Sequence, residues 1–490
     1  MRYQNRAKLI LCLSLVSLTV FSCGGEAAKP AENGNSALGT DSSAETEGIT
    51  EELPPLAAGK DYGGAAVTFY ADTYTGTDFG SFYVSEKENG EVINDAASRR
   101  TRAVEEALNV DITYAEPEKD CGKFIRSVLT GEGVYDFLTA AVTLCTDSVL
   151  QGTLYNLNDI EGLDLSRSWW LPYVNQELAV EGTQYLATGY FDMATFARTS
   201  AVFFSSKLAE TYDLGDFYAL VGSGEWTFDK LLSLAAAVSK DLNGDGAWDM
   251  DDQYGLCGGF NMNGMLIMTT GYHFTESAAD GSRTLAGCTE RLIDFNRMLY
   301  ETYQQPWYFN CYPYKGDNRF ADASVRFTED KYLFFLQDVS YAQKFSGAMD
   351  SYGILPIPKF DTEQKEYLSY GRPMVTGIAA DAKDPDMAAA VLESLHCESK
   401  KTMMPAYYDI ALSSRYASTP EASEMLDLIF ANVSVDFAQI WYSSIGLSLP
   451  LHNSCGCVED YASWYAGISN QFNANLEKLL GSIRDVRDAR

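Results

Sequence analysis

Histidine is nearly absent: 490 residues contain three, His273, His396 and His452, far apart along the chain. No HExxH, GxSxG or phosphate-loop pattern occurs, so zinc-protease, serine-hydrolase and nucleotide-cleaving chemistries have no carrier. Basic residues are scarce as well, 36 against 68 acidic, for a formal net charge of −32. Nucleic acid and anionic lipid surfaces both select for basic patches, so this balance argues against either as a partner. There is no internal repeat. Acidic pairs are so abundant that finding two carboxylates near each other is uninformative; a two-carboxylate glycosidase stays open on composition alone.

The first residues are of another kind. Arg2, Arg6 and Lys8 precede an apolar run from Leu9 to Phe21, followed by Ser22 and Cys23. A basic start, a short apolar stretch and a small residue before the break predict a secretory signal over 1–22, too short to span a bilayer. Cysteine directly after the small residue resembles a bacterial lipobox, with Phe21 bulkier than usual, and makes Cys23 the expected lipidated residue and membrane anchor. Residues 23–60 are rich in Gly, Ala, Glu, Ser and Pro and bury too little to fold, which predicts a tether. Loss of 1–22 removes three basic and no acidic residues, so 36 basic residues fall to 33 against 68 acidic. About 430 residues remain for the folded part, more than one core holds, so two lobes are expected. Of ten cysteines, Cys12 leaves with the signal and Cys23 is lipidated. The other eight show no small-domain disulfide framework, and Cys455, Cys457 and His452 make only a weak zinc pattern.

The most informative stretch runs from Glu225 to Leu256. Thr227 is placed to cap a helix whose apolar face carries Leu231, Leu232, Leu234, Ala235 and Val238. The helix runs out into a loop in which Asp241, Asn243, Asp245, the Ala247 carbonyl, Asp249 and Asp252 occupy positions 1, 3, 5, 7, 9 and 12 of an EF-type calcium loop. Gly246 falls at its sharp turn. Calcium takes six to eight hard oxygen ligands, and this segment supplies them within twelve residues; Asp252 stands where a longer Glu is usual. The expectation is a structural Ca2+, the alternative a solvated turn. Gln253–Leu256 then begins a strand.

Elsewhere strands and helices alternate. Val67–Ala71, Val110–Tyr114 and Tyr135–Ala141 read as strands, with helices opening at Ile93 and spanning Phe124–Leu129. Gln184–Asp192 reads as a hairpin strand, and Val202–Leu208 as a strand leading into a helix. Later come a helix over Leu292–Tyr303, a strand at Tyr332–Asp338, the stretches Tyr352–Lys359 and Gly371–Ala380, and a helix over Met387–His396. Alternation of this kind favours α/β sheets with ligand loops at the strands' carboxyl ends.

The segment 226–256, WTFDKLLSLAAAVSKDLNGDGAWDMDDQYGL, resembles the middle of extracellular solute-binding proteins of family 1, the sugar-type ABC importer class. NDAASRRTRAVEEALNVDI (94–112), YDFL (135–138) and YGILPIPK (352–359) are similar to family stretches and come in the same order. The resemblance covers nearly all of 61–490. It implies a two-lobed, periplasmic-binding-protein-like α/β fold of the second type with a hinge between lobes. Lobe 1 would comprise 61–199 plus about 375–425, and lobe 2 about 200–374 plus 426–490. The implied role is to capture a carbohydrate, expected to be an oligosaccharide, by hinged closure and to deliver it to an ABC permease, as an extracytoplasmic monomer and not as an enzyme. A receptor for a peptide, a polyamine or a metal chelate is the runner-up, and a surface glycoside hydrolase a third reading. Overall acidity leans toward a neutral or cationic ligand.

Sugar sites pair aromatic plates with polar hydrogen-bonding groups, and the chain has 25 Phe, 7 Trp and 31 Tyr to draw on. The family's cleft lies between the lobes, so position narrows the candidates. Tyr74 and Thr75 follow the first strand and Thr143 the third. Asp192 and Thr195 follow the hairpin strand, with Arg198 and Thr199 just before the first crossing. Asp338 ends a strand, Arg372 precedes the return crossing, and Trp441 and Tyr442 stand where this class often places a stacking aromatic.

Overall fold

The structure is a computed structural model. It describes residues 54–489 apart from 72–81, 84, 86, 116–120, 250, 259–265, 279–281, 312–318, 350, 412–418 and 446–455. The expected signal, Cys23, most of the tether, Tyr74 and Thr75 lie outside the described residues. Among the described residues, no helix is long and apolar enough to cross a membrane.

Two sheets carry the chain. In sequence order the strands are β1 (Ala65–Ala71), β2 (Val110–Tyr114), β3 (Phe137–Ala141), β4 (Ser200–Ser205), β5 (Tyr254–Gly258), β6 (Thr275–Ser277) and β7 (Arg283–Leu285). They continue as β8 (Tyr308–Asn310), β9 (Tyr332–Asp338), β10 (Tyr352–Leu355), β11 (Ser369–Tyr370), β12 (Met374–Ile378) and β13 (Val433–Ser434). The first sheet has the order β12-β3-β1-β2, the second β10-β4-β9-β5-β8. β1 is parallel to β2 and to β3, while β12 runs antiparallel to β3, with Met374 opposite Ala141 and Ile378 opposite Phe137. β11–β13 and β6–β7 are two short pairs of their own.

The interior strands are apolar at successive positions and not merely at alternate ones: all of β3, β4 and β5 is buried. Strands covered on both faces read this way, because helices lie over each side. On the first sheet the helix Val92–Leu108 turns Ala96, Ala97, Arg100, Val104 and Leu108 inward at three- and four-residue spacing. It ends at Asn109, whose left-handed φ of 51° lets its N–H close on the Glu105 carbonyl before β2 begins. The long helix Pro385–Ala411 packs along it.

Beside the second sheet, two stretches far apart in sequence meet. Trp226 is buried and its indole N–H donates to the Pro356 carbonyl at 2.9 Å. Lys359 N–H donates to Trp226 C=O and Phe228 N–H to Lys359 C=O, so 226–228 and 356–359 form one unit. Thr227 caps the helix Phe228–Val238 by accepting from Lys230 N–H, and Leu231, Ala235 and Val238 are its buried face. That helix lies directly on β5: a Cβ on Gly255 would stand 1.8 Å from the Ala235 carbonyl oxygen.

Gln184–Asp192 does not form the expected hairpin strand. It makes only isolated bridges, Ala187 with Thr376 and Gly189 with Trp170. Its local pattern is that of a strand, but its partners come from elsewhere in the chain and hold one residue at a time.

Candidate ligand cleft

The chain leaves the first sheet through the short helix Ala194–Ala197, Arg198 and Thr199, and enters the second at Ser200. It returns through β11, Gly371, Arg372 and Pro373 to β12. The two passages lie side by side. Met374 N–H donates to the Thr195 hydroxyl at 3.0 Å, that hydroxyl donates to the Met374 carbonyl at 3.2 Å, and the Thr199 hydroxyl donates to Thr195 C=O at 2.9 Å. A third segment joins them. Ser369 and Tyr370 pair with Val433 and Ser434, and Gly371 N–H donates to Ser434 C=O at 2.9 Å. Gly371 is required here, since a Cβ would come within 2.4 Å of a Val433 methyl.

The carboxyl ends of strands from both sheets arrive at this junction. The end of β9 is fixed to it by Val339 N–H on Thr199 C=O and Ser340 N–H on Ala197 C=O, each at 2.9 Å. The end of β3 is fixed by Val142 N–H on Pro373 C=O at 3.0 Å. Strand carboxyl ends at a change of sheet are where open α/β folds bind ligands.

Arg198, Asp338, Arg372 and Tyr442, dispersed in sequence, therefore come together here, half-buried, with Thr143 half-buried on the first turn after β3. Arg372 forms an ion pair with Asp338. Asp338 raises the proton affinity of the Arg372 guanidinium, whereas burial pushes the Asp338 carboxyl up against the pull of Arg372 and Arg198. Burial, reinforced by Arg372, pushes Arg198 down to about 10.

Sequence reasoning missed three members of the cluster, Tyr370, Gln439 and Lys344. Tyr370 is buried between these charges and Tyr442, and its hydroxyl meets the Gln439 amide. Lys344 lies 4.0 Å from the centre of the Tyr341 ring and adds to the pull on Asp338. Tyr370 and Gln439 are brought in by the β11–β13 pairing, which has no local sequence signal.

The remaining candidates lie behind this surface. Asp192, Thr195 and Thr199 have no exposure. The Asp192 carboxylate accepts from the Thr376 hydroxyl at 3.0 Å and stands 3.8 Å from His396 Nε2. Burial carries the Asp192 carboxyl well above the usual carboxylate range and the His396 imidazole well below its own. Trp441 is 2% exposed and packs near Phe437, so in this arrangement the half-buried Tyr442, not Trp441, faces outward.

The acidic loop after Val238 is built as the sequence suggests in its turns. Gly246 has φ +78°; Asp241 accepts from Gly244 N–H (2.6 Å) and Gly246 N–H (2.8 Å), and Asp245 from Ala247 N–H (2.8 Å). Asp252 is fully buried and ties the loop's ends, accepting from Leu242 N–H (2.9 Å) and Asp249 N–H (3.0 Å). Asn243 accepts from Asp245 N–H and Asp249 from Asp251 N–H. The donor set is all hard oxygen, and each carboxylate oxygen keeps a second lone pair. Among the described residues, however, no three acidic, His or Cys groups stand together at metal-holding distances. The residues fit calcium in type and number, but their side chains are turned onto the loop's own N–H groups. Of the weak zinc pattern, Cys455 and His452 lie outside the described residues and Cys457 is exposed.

No family model and no curated protein matches the sequence. Solved structures do. The GacH receptor of Streptomyces glaucescens, determined unliganded and with acarbose and an acarbose homologue, superposes with a TM-score of 0.52 at 14% identity, over 85% of this chain and 99% of that one. A cyclo/maltodextrin-binding protein complexed with maltotetraose gives 0.51 at 13% identity, over 86% and 96%. At such identities the likeness establishes the fold, a two-lobed α/β periplasmic-binding-protein-like architecture.

Proposed function

We propose that this chain is an extracytoplasmic carbohydrate receptor that encloses one saccharide, an oligosaccharide, between its lobes and hands it to an ABC permease. The observation that carries this reading is the cluster of Arg198, Asp338, Arg372, Tyr370 and Tyr442, set at the junction of two sheets in a fold whose solved neighbours hold acarbose and maltotetraose. Arginine and carboxylate groups hydrogen-bond hydroxyls, and Tyr442 offers a ring face to a sugar's C–H surface. Thr143 borders the same surface, and Tyr74 and Thr75 extend the proposed site. Asp192, Thr195, Thr199 and Trp441 belong to it as its supporting wall. No catalytic step is assigned.

The same proposal includes a signal over 1–22, anchoring through a lipidated Cys23 and a tether over 23–60, with the receptor acting as a monomer. It divides the folded part into 61–199 plus about 375–425 and about 200–374 plus 426–490, the passages at 195–200 and 369–374 serving as the hinge. It also places a structural Ca2+ at Asp241, Asn243, Asp245, the Ala247 carbonyl, Asp249 and Asp252, where the ion's charge would offset the acidic side chains beside β5.

A thermal-shift screen of the protein against mono- and oligosaccharides tests the central point. A ligand present at a hundred times its Kd stabilises the folded form by about 2.7 kcal/mol. A stabilising glycan recovered uncleaved supports the receptor reading. Stabilisation by peptides or polyamines alone would replace the ligand class, and cleavage of the glycan would make the protein a hydrolase.

A further inference from the structure

The chain as a whole is strongly acidic, yet the cleft is locally basic. Around the single carboxylate of Asp338 stand Arg372, Arg198 and Lys344, all three of which pull on it. Asp192 is fully buried behind this surface, where its carboxyl accepts from Thr376. Arg372 is committed to Asp338. Arg198 is not comparably committed. Among the described residues its one hydrogen bond goes to the Met374 thioether sulfur at 3.5 Å, a weak acceptor.

A guanidinium has five N–H donors in a planar fork. Half-burying one against a sulfur and tyrosine rings is unfavourable unless an anion completes it. We infer that the saccharide bound in this cleft carries a uronate carboxylate and that Arg198 receives it. This rests on the receptor reading above and names its ligand class.

Three features favour this group over others. A carboxylate is planar and matches the guanidinium fork with two parallel hydrogen bonds. It is a monoanion and is met by Arg198 alone, the guanidinium the Arg372–Asp338 pair leaves free, with Lys344 adding to the positive field, whereas a dianionic phosphate monoester would meet Asp338 and the negative field of the whole chain. Tyr442, half-buried next to Tyr370, offers a ring to the sugar that carries the acid. The overall acidity, which by itself leans toward a neutral or cationic ligand, is outweighed where the ligand sits, because Arg372, Arg198 and Lys344 outnumber the Asp338 carboxylate.

The test is isothermal titration of the full chain with oligouronates of galacturonate, glucuronate and mannuronate, their methyl esters, neutral maltotetraose, and an O-sulfated oligosaccharide. At least one oligouronate is expected to bind tenfold or more tighter than its methyl ester, and Arg198→Gln to abolish that preference. Equal binding of acid and ester, binding of neutral glycans alone, or a preference that survives Arg198→Gln overturns the inference while leaving the receptor reading in place. Tight binding of the sulfated glycan alone overturns the carboxylate assignment. If no glycan binds, both readings fall. The acid–ester comparison is made on the unaltered chain, so it decides the matter even if the variant does not fold.

Discussion

The hydroxyl of Thr195 is held between the two backbone groups of Met374, accepting from its N–H at 3.0 Å and donating to its C=O at 3.2 Å. A side chain from the outgoing passage thus fixes the backbone of the returning one. Thr195→Val keeps the shape and removes both bonds, leaving buried backbone groups unsatisfied. A loss of about 1–3 kcal/mol in urea unfolding is expected. An unchanged midpoint would mean the passages are held by other contacts.

Gly255 offers a harsher test of packing. Any Cβ there meets the backbone of Ala235 and not a movable side chain. Overpacking usually costs ~1–3 kcal/mol, and Gly255→Ala is expected at or beyond the top of that range in thermal melts. Gly467 is the control: it lies exposed within the helix Tyr461–Asp488 with nothing near its missing Cβ, so Gly467→Ala should stabilise by roughly 0.5–1 kcal/mol.

His273 joins the region before β6 to the rest of the chain. Its Nδ1 lies 3.5 Å from Asp436 and 4.0 Å from Glu177, with Arg283 paired to Glu177 at 2.9 Å. The Asp436 carboxylate beside the ring, set against partial desolvation, raises the imidazole above its ordinary value of 6.5; the Glu177 charge adds to it and Arg283 opposes. The folded chain therefore holds the proton more tightly than the unfolded one. The resulting stability is fully present below pH about 6.5 and is lost as pH rises through the folded value. His273→Gln should be less stable than the parent at pH 5.5 by at most about 1 kcal/mol, the site being partly exposed, and the gap should close by pH 9. A gap that widens with pH would reverse the assignment.

Trp248 lies 37% exposed within the acidic loop, 5.4 Å from the Tyr254 ring. If the loop holds calcium, terbium in its place should emit on tryptophan excitation. The emission should be competed away by Ca2+ and lost in Asp241→Ala, and chelation should lower the melting temperature. Chelation that abolishes glycan binding without a thermal shift would contradict a structural role, and silence with terbium would make the loop an ion-free turn.

Much of the scaffold was legible because its signals are local. The capped helix after Thr227 and the buried run of β9 both follow from neighbours within a few residues. Gln184–Asp192 misled for the opposite reason, since its period is that of a strand while its partners are single residues such as Thr376 and Trp170. In the cleft, positions beside predicted crossings led to Arg198, Asp338 and Arg372. Tyr370 and Gln439 stayed invisible, because a pairing of residues 369–370 with 433–434 places them. Trp441 and Tyr442 show the limit of reading adjacent aromatics: only the backbone decides which ring turns inward.

The pairing of β12 with β3 also has a meaning in time. Ala141 and its partner Met374 are 233 positions apart, so β3 is made well before the strand that covers its edge. At ordinary rates of synthesis that interval is on the order of 10–50 s. Throughout it, the first lobe is an open sheet with an unpaired, wholly buried-type strand at its margin, the kind of edge that recruits other chains. A chain truncated before Met374 keeps that edge indefinitely, and should accumulate as aggregate even though every strand of β1, β2 and β3 is present.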